Sequence, residues 1–100
     1  MPERHQIDGS ELVTKREGKQ RLRRGIFDAW NGCCAYCGQG ADTLDHVLPV
    51  VKGGLTVRTN LIPACRPCNL AKGHADAIEW FRAHHGWTPG REQRLLDWIA

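Results

Sequence analysis

No apolar run in this chain approaches the roughly 20 residues that a helix needs to cross a bilayer, which excludes a membrane-spanning helix. The stretch from Met1 to Ser10 is polar and lacks the apolar centre of a signal peptide. There is no internal repeat and no low-complexity tract. Length is scarce as well. One hundred residues make one domain. A chain of that size buries only about two thirds of its unfolded surface, so its core is modest. A metal would be a natural supplement to such a core. With 25% charged and 41% hydrophobic residues, the composition is that of an ordinary globular protein.

Five cysteines are an odd number, and four of them fall into two C-x-x-C pairs, Cys34 with Cys37 and Cys65 with Cys68. Without a secretory signal, that spacing favours metal binding over disulfides and an intracellular, reducing compartment. Each pair lets two sulfurs converge on one cation across a tight turn. Two pairs complete the closed tetrahedral four-sulfur site of a structural zinc. A closed site holds a fold and leaves no position for chemistry. Cys33 is the fifth cysteine. Its neighbour Cys34 has the better spacing, which makes Cys33 a free thiol, although a pairing of Cys33 with Cys37 is also open.

The formal net charge of +3 decides little, since four thiolates and a zinc dication would lower it to about +1. Its distribution says more. Lys15, Arg16, Lys19, Arg21, Arg23 and Arg24 fall within ten residues, opposed only by Glu17. On one surface they would face a polyanion. The bland alternative is a solvated helix face.

In chain order, residues 1–14 show little periodicity and read as a flexible arm. Residues 15–100 read as a single domain. Lys15 to Trp30 looks helical despite Gly18 and Gly25, with Leu22, Ile26, Phe27 and Trp30 drawing one apolar stripe. Asn31-Gly32 is a stop signal. Cys34 to Gly38 is a tight knuckle, and Leu44 to Val47 begins a strand. Val50 to Thr59 is an exposed loop, and Leu61 to Ala64 a returning strand. A helix from Arg66 to Lys72 follows, with Pro67 at its start and Gly73 at its end. Ala75 to His84 and the segment after Thr88-Pro89 give two more amphipathic helices. The first turns Ile78 and Phe81 inward, and the second Leu95, Leu96, Trp98 and Ile99. The tryptophans read as core anchors, because three lie on such patterns. The fold class is α+β: a small strand–loop–strand–helix core stapled by four cysteines and flanked by helices on both sides.

Between and beside the cysteine pairs stand Asp45, His46, Asn60 and Asn69. Asp45 and Asn69 offer oxygen to a hard cation such as magnesium. Two protein ligands leave room for waters and a phosphate oxygen. His46 can accept a proton from an attacking water, since imidazole titrates near neutral pH. Asn60 can hold His46, or bond a backbone group of the loop. Adjacent strand residues point to opposite faces, so Asp45 and His46 share a site only if the strand bends. His74 lies just beyond this set, as a substitute ligand or a surface residue, while His84 and His85 have no evident companions.

The segments Tyr36-Cys37-Gly38, Leu44-Asp45-His46-Val47-Leu48-Pro49, Lys52-Gly53-Gly54, Asn60-Leu61, Cys65-x-x-Cys68-Asn69 and Lys72-Gly73 together resemble the HNH endonucleases, in their zinc-knuckle subgroup. The motif core spans residues 34–73. The resemblance implies a ββα-metal fold that cuts nucleic acid with one catalytic divalent ion. In it Asp45 matches the first metal ligand, His46 the general base and Asn60 the middle asparagine. Asn69 stands where a histidine often stands, an H-N-N variant. An amide oxygen suits magnesium or manganese, where imidazole suits nickel or zinc. The implied partner is double-stranded DNA, nicked by a monomer or cut on both strands by a homodimer. Lys15, Arg16, Lys19, Arg21, Arg23 and Arg24, with Arg66 and Lys72 beside the site, would contact phosphates. The family serves phage packaging, mobile elements, defence and restriction, and fold does not choose among these. The competing reading is a zinc module that binds DNA without cutting it.

Overall fold

The computed structural model describes residues 5–8 and 11–100, with side chains from Lys15 onward. Residues 1–4, 9 and 10 of the expected arm lie outside the described residues. The rest of that segment forms two antiparallel strands, β1 (His5–Asp8) and β2 (Glu11–Thr14), with His5 opposite Thr14.

Helix α1 (Lys15–Ala29) then buries the expected stripe. Ile26 and Trp30 are in the core and Leu22 packs against it, one and two turns along the same face. Lys15, Arg16, Lys19, Arg21, Arg23 and Arg24 are all exposed. Asn31 and Gly32 both take positive φ, 55° and 69°, and the Gly32 amide returns to the Phe27 carbonyl at 2.8 Å. This is the left-handed stop that the Asn-Gly pair predicts.

The knuckle follows. The Gly38 amide bonds to the Cys34 carbonyl at 2.9 Å, and Gly38 takes φ of 79°, a value that suits glycine. Strand β3 (Thr43–His46) pairs antiparallel with β4 (Leu61–Ala64), in a register that sets Asp45 opposite Ile62 and His46 opposite Leu61. The Ala35 amide bonds to the Pro63 carbonyl at 2.9 Å, which ties the knuckle to β4. The connecting loop is less irregular than its composition suggests. It contains two 3₁₀ turns, Val50–Lys52 and Arg58–Asn60. Gly54 cannot be replaced freely, because a Cβ there would collide with the Leu48 carbonyl.

Helix α2 (Arg66–Lys72) starts at Cys65, whose sulfur accepts from the Cys68 amide, and ends at Gly73 as expected. Helix α3 (Ala77–Arg82) is shorter than the predicted Ala75 to His84. The Asp76 carboxylate accepts from the Ile78 and Glu79 amides and so sets the start two residues later. Helix α4 (Pro89–Ile99) is capped by the Thr88 hydroxyl.

The core gathers Ile26, Tyr36, Ile62, Phe81 and Leu95, so all parts of the chain from α1 to α4 contribute to it. Aromatic rings interlock there. Tyr36 meets Trp80 and Phe81 with centroids 4.9 and 5.3 Å apart, and Trp30 meets Trp98 edge-on at 5.8 Å. Trp30, Trp80 and Trp98 thus act as anchors, while Trp87 is exposed. The architecture is α+β, with two small antiparallel sheets and four α-helices among the described residues.

Candidate metal centre and adjoining cleft

One face of α2 explains how the site is assembled. Cys65, Cys68, Asn69 and Lys72 are spaced i, i+3, i+4 and i+7, so they share a face. The N-terminal end of that face presents sulfur. The C-terminal end presents an amide and an ammonium to β3.

At the sulfur end, the ligand atoms of Cys34, Cys37, Cys65 and Cys68 all lie within 4.8 Å of one another. Cys37 and Cys65 sulfurs are 3.7 Å apart. A tetrahedron with 2.3 Å metal–sulfur bonds has edges of about 3.8 Å, so the spacing fits a single ion. Cys33 is not in the cluster; its thiol turns to the Asn31 carbonyl at 3.5 Å. Burial first, and then neighbouring sulfurs, push the thiols of Cys37 and Cys68 up. Burial also opposes ionisation of Cys65, yet hydrogen bonds led by the Cys68 amide hold it below its ordinary value.

At the other end, the Asn69 Nδ2 donates to Thr43 Oγ1 at 3.0 Å and to the Leu44 carbonyl at 3.3 Å, which leaves Oδ1 as the acceptor of that amide. Lys72 is 3% exposed. Its ammonium lies 3.2 Å from both Asp45 oxygens and donates to the His46 carbonyl at 3.0 Å. Asp45 is buried too, at 6% exposure, and accepts a 2.7 Å bond from the Tyr36 hydroxyl. Burial first, and the charge of Asp45 second, push the Tyr36 phenol far above its usual range, so it remains a donor.

Asp45, His46, Asn69, Lys72 and His74 line one cleft of about 210 Å³, with Pro49, Val50 and Val51 on its rim. The chain bends just past His46, and Asp45 and His46 reach the same cleft despite their adjacency on β3. His46 is half-buried and its Nε2 lies 3.0 Å from the Thr56 hydroxyl.

Asn60 takes the second of its two expected roles. Its Oδ1 accepts from the Leu48 amide at 2.8 Å, and its Nδ2 donates to the carbonyls of Leu48 and Leu55 at 3.0 and 2.9 Å. It bonds the two sides of the loop together and does not touch His46. Arg66 is exposed at the start of α2. Lys72, expected beside the site, lines the cleft with its ammonium buried against Asp45.

Three participants have no signal in the sequence. Tyr36 sits inside the knuckle, where nothing marks its hydroxyl as a partner of Asp45. Thr56 is one more polar loop residue. His84 does have a companion: its Nε2 is 3.6 Å from the Cys68 sulfur. Burial first, and His85 stacked beside it at 4.2 Å, push the imidazole pKa down.

The family model described as HNH endonuclease matches residues 34–75, the stretch that runs from the first knuckle through the end of α2. Over that stretch, a little under half of the chain, the sequence is similar to the HNH endonucleases. No curated protein matches the chain. The match covers the whole of the metal centre and the cleft. The matched segment contains both knuckles, β3, β4 and α2, while α1, α3 and α4 lie outside it. Its four-cysteine cluster fits the zinc-knuckle subgroup. Among the described residues no helix is long and apolar enough to cross a membrane.

Proposed function

We propose that this protein is a metal-dependent DNA endonuclease in which zinc on the four sulfurs holds the scaffold and the cleft beside α2 hydrolyses a phosphodiester. The observation that carries this reading is the single cleft lined by Asp45, His46 and Asn69 within the HNH segment.

The donor set suits a hard divalent cation, magnesium or manganese. Asn69 offers Oδ1. The Asp45 carboxylate has roughly four acceptor positions, and Tyr36 and Lys72 do not exhaust them. A cation held there would neutralise charge on the phosphate and on the departing oxygen. His46 acts as the base. Donation from its Nε2–H to Thr56 leaves the Nδ1 lone pair to take a proton from water. Lys72 pairs with Asp45 and, through the His46 carbonyl, fixes the backbone that carries the base. Its charge weakens the pull of Asp45 on a cation, and in return adds a positive group to the floor of the cleft. Asn60 is a positioning residue that sets the loop around His46.

The exposed basic residues of α1 supply the contact to phosphates, with exposed Arg66 at the start of α2. One cleft cuts one strand, so a monomer nicks and a homodimer is needed for a double-strand break.

The test is conversion of supercoiled plasmid to open circles with magnesium or manganese, comparing the parent with His46→Ala. Loss of a general base lowers the rate about 10²–10⁴-fold, with DNA binding retained. If the variant binds and cuts as fast as the parent, His46 is not the base. If the parent fails to cut with every divalent ion offered, the chain is a zinc module that only binds.

A further inference from the structure

Residues 84–86 lie beyond the HNH match, yet they reach its metal centre at two points. Gly86 packs on the first knuckle so closely that a Cβ there would stand 2.8 Å from the Tyr36 carbonyl and 3.1 Å from the Cys37 Cα. Arg91 from α4 fastens the turn, donating from Nη1 to the Gly86 carbonyl at 2.9 Å. His84 meets the second knuckle, with Nε2 3.6 Å from the Cys68 sulfur.

The same turn decides which imidazole nitrogen carries the proton. The Gly86 backbone amide, which can only donate, lies 2.9 Å from His84 Nδ1. Nδ1 must therefore accept, and a neutral imidazole then carries its hydrogen on Nε2, the atom that faces sulfur. His84 is not one of the mutually close ligand atoms, which are the four sulfurs. Its position is that of a group touching a ligand.

We infer that His84 is a positioning residue for the metal centre: its Nε2–H donates to the Cys68 thiolate, in a tautomer held by the Gly86 amide. The bond draws charge from one of four crowded thiolates. It also orients Cys68, whose position at the buried end of α2 sets where Asn69, one residue on, meets β3. Retention of zinc is thereby tied to the docking of the α3–α4 turn against the HNH segment. Hydrogen bonds to metal ligands typically change affinity about 10–100-fold.

This inference rests on the four-sulfur site and not on DNA cleavage, so its test uses the whole chain without DNA. Zinc affinity is measured by chelator competition for the parent, His84→Phe and His84→Gln. Phenylalanine keeps a ring and loses the donor, while glutamine restores an N–H near the Nε2 position. The expected result is zinc binding weaker by about 10–100-fold in His84→Phe and largely recovered in His84→Gln. With cobalt in place of zinc, the sulfur-to-metal charge-transfer band of His84→Phe moves to lower energy. Equal affinity and an unmoved band in His84→Phe would overturn the assignment. Should that variant not fold, nitrogen NMR of the zinc-loaded parent still decides: a proton on Nε2 supports the donor, and a proton on Nδ1 or a direct nitrogen–metal bond sinks it. A parent chain that binds no zinc overturns the sulfur site itself, a failure that the competition assay separates from the rest. Absence of plasmid cleavage would leave each of these readouts unchanged.

Discussion

Lys72 shows how much a single side chain can carry beyond its sequence signal. In sequence it is a lysine before a glycine at a helix end, read as a phosphate contact beside the site. In the fold it is buried against Asp45, and one ammonium fastens α2 to both cleft residues of β3. A buried ion pair that loses one member leaves an uncompensated charge, which costs about 3–5 kcal/mol. Lys72→Met is expected to lower stability by that order in urea unfolding. Adding Asp45→Asn should restore much of the loss, because the orphaned charge is then gone. Equal stability of Lys72→Met and the parent would show that the pair does not hold these elements together. Asp45, His46 and Asn69, which line the cleft, stood out in the sequence because they are chemically distinctive at their spacing. The contacts of Tyr36, Lys72 and His84 did not, since each depends on packing between segments 9, 27 and 16 residues apart.

Helix α2 is the element that links the two ends of the site. Seven residues present sulfur at one end and amide and ammonium at the other, so whatever fixes its N-terminus also fixes its approach to β3. Its bounds could be read because cysteine spacing, Pro67 and Gly73 all mark the same limits. Helix α1 was legible for a different reason, the recurrence of Leu22, Ile26 and Trp30. Gly25 inside it opposes that pattern. A Cβ at Gly25 would meet nothing within 4 Å and the residue is exposed in regular helix. Gly25→Ala is therefore expected to raise stability by about 0.5–1 kcal/mol, seen as a higher denaturation midpoint. A lower midpoint would mean that the backbone at this position is not ordinary helix. Strands β1 and β2 were not legible, since His5–Asp8 and Glu11–Thr14 lack an apolar run like the one that marks Leu61–Ala64 as β4. The early start predicted for α3 has a similar origin. Periodicity extended it through Ala75, whereas the bond that the Ile78 amide donates to the Asp76 carboxylate sets the true boundary.

At the scale of the molecule, the basic face of α1 and the cleft are separate features that one substrate must bridge. If α1 neutralises about five phosphates, log affinity should fall against log salt with a slope of about −4.5. A filter-binding series over salt concentration measures it. A slope near zero would assign the basic face to solvation alone. Composition and cysteine spacing were enough to foresee one small α+β unit around a metal, because metal ligands announce themselves by type and interval. How α3 and α4 close over that unit depends on interlocked rings and the Gly86 turn, and neither has a local signature. The account as a whole requires two kinds of ion on opposite ends of α2. Anomalous scattering from crystals of the zinc-loaded protein soaked in manganese tests this directly. It predicts one zinc peak among the sulfurs of Cys34, Cys37, Cys65 and Cys68, and a separate manganese peak between Asp45 and Asn69 beside His46. Zinc elsewhere, or a cleft that takes no manganese while Lys72 keeps Asp45 to itself, would contradict it.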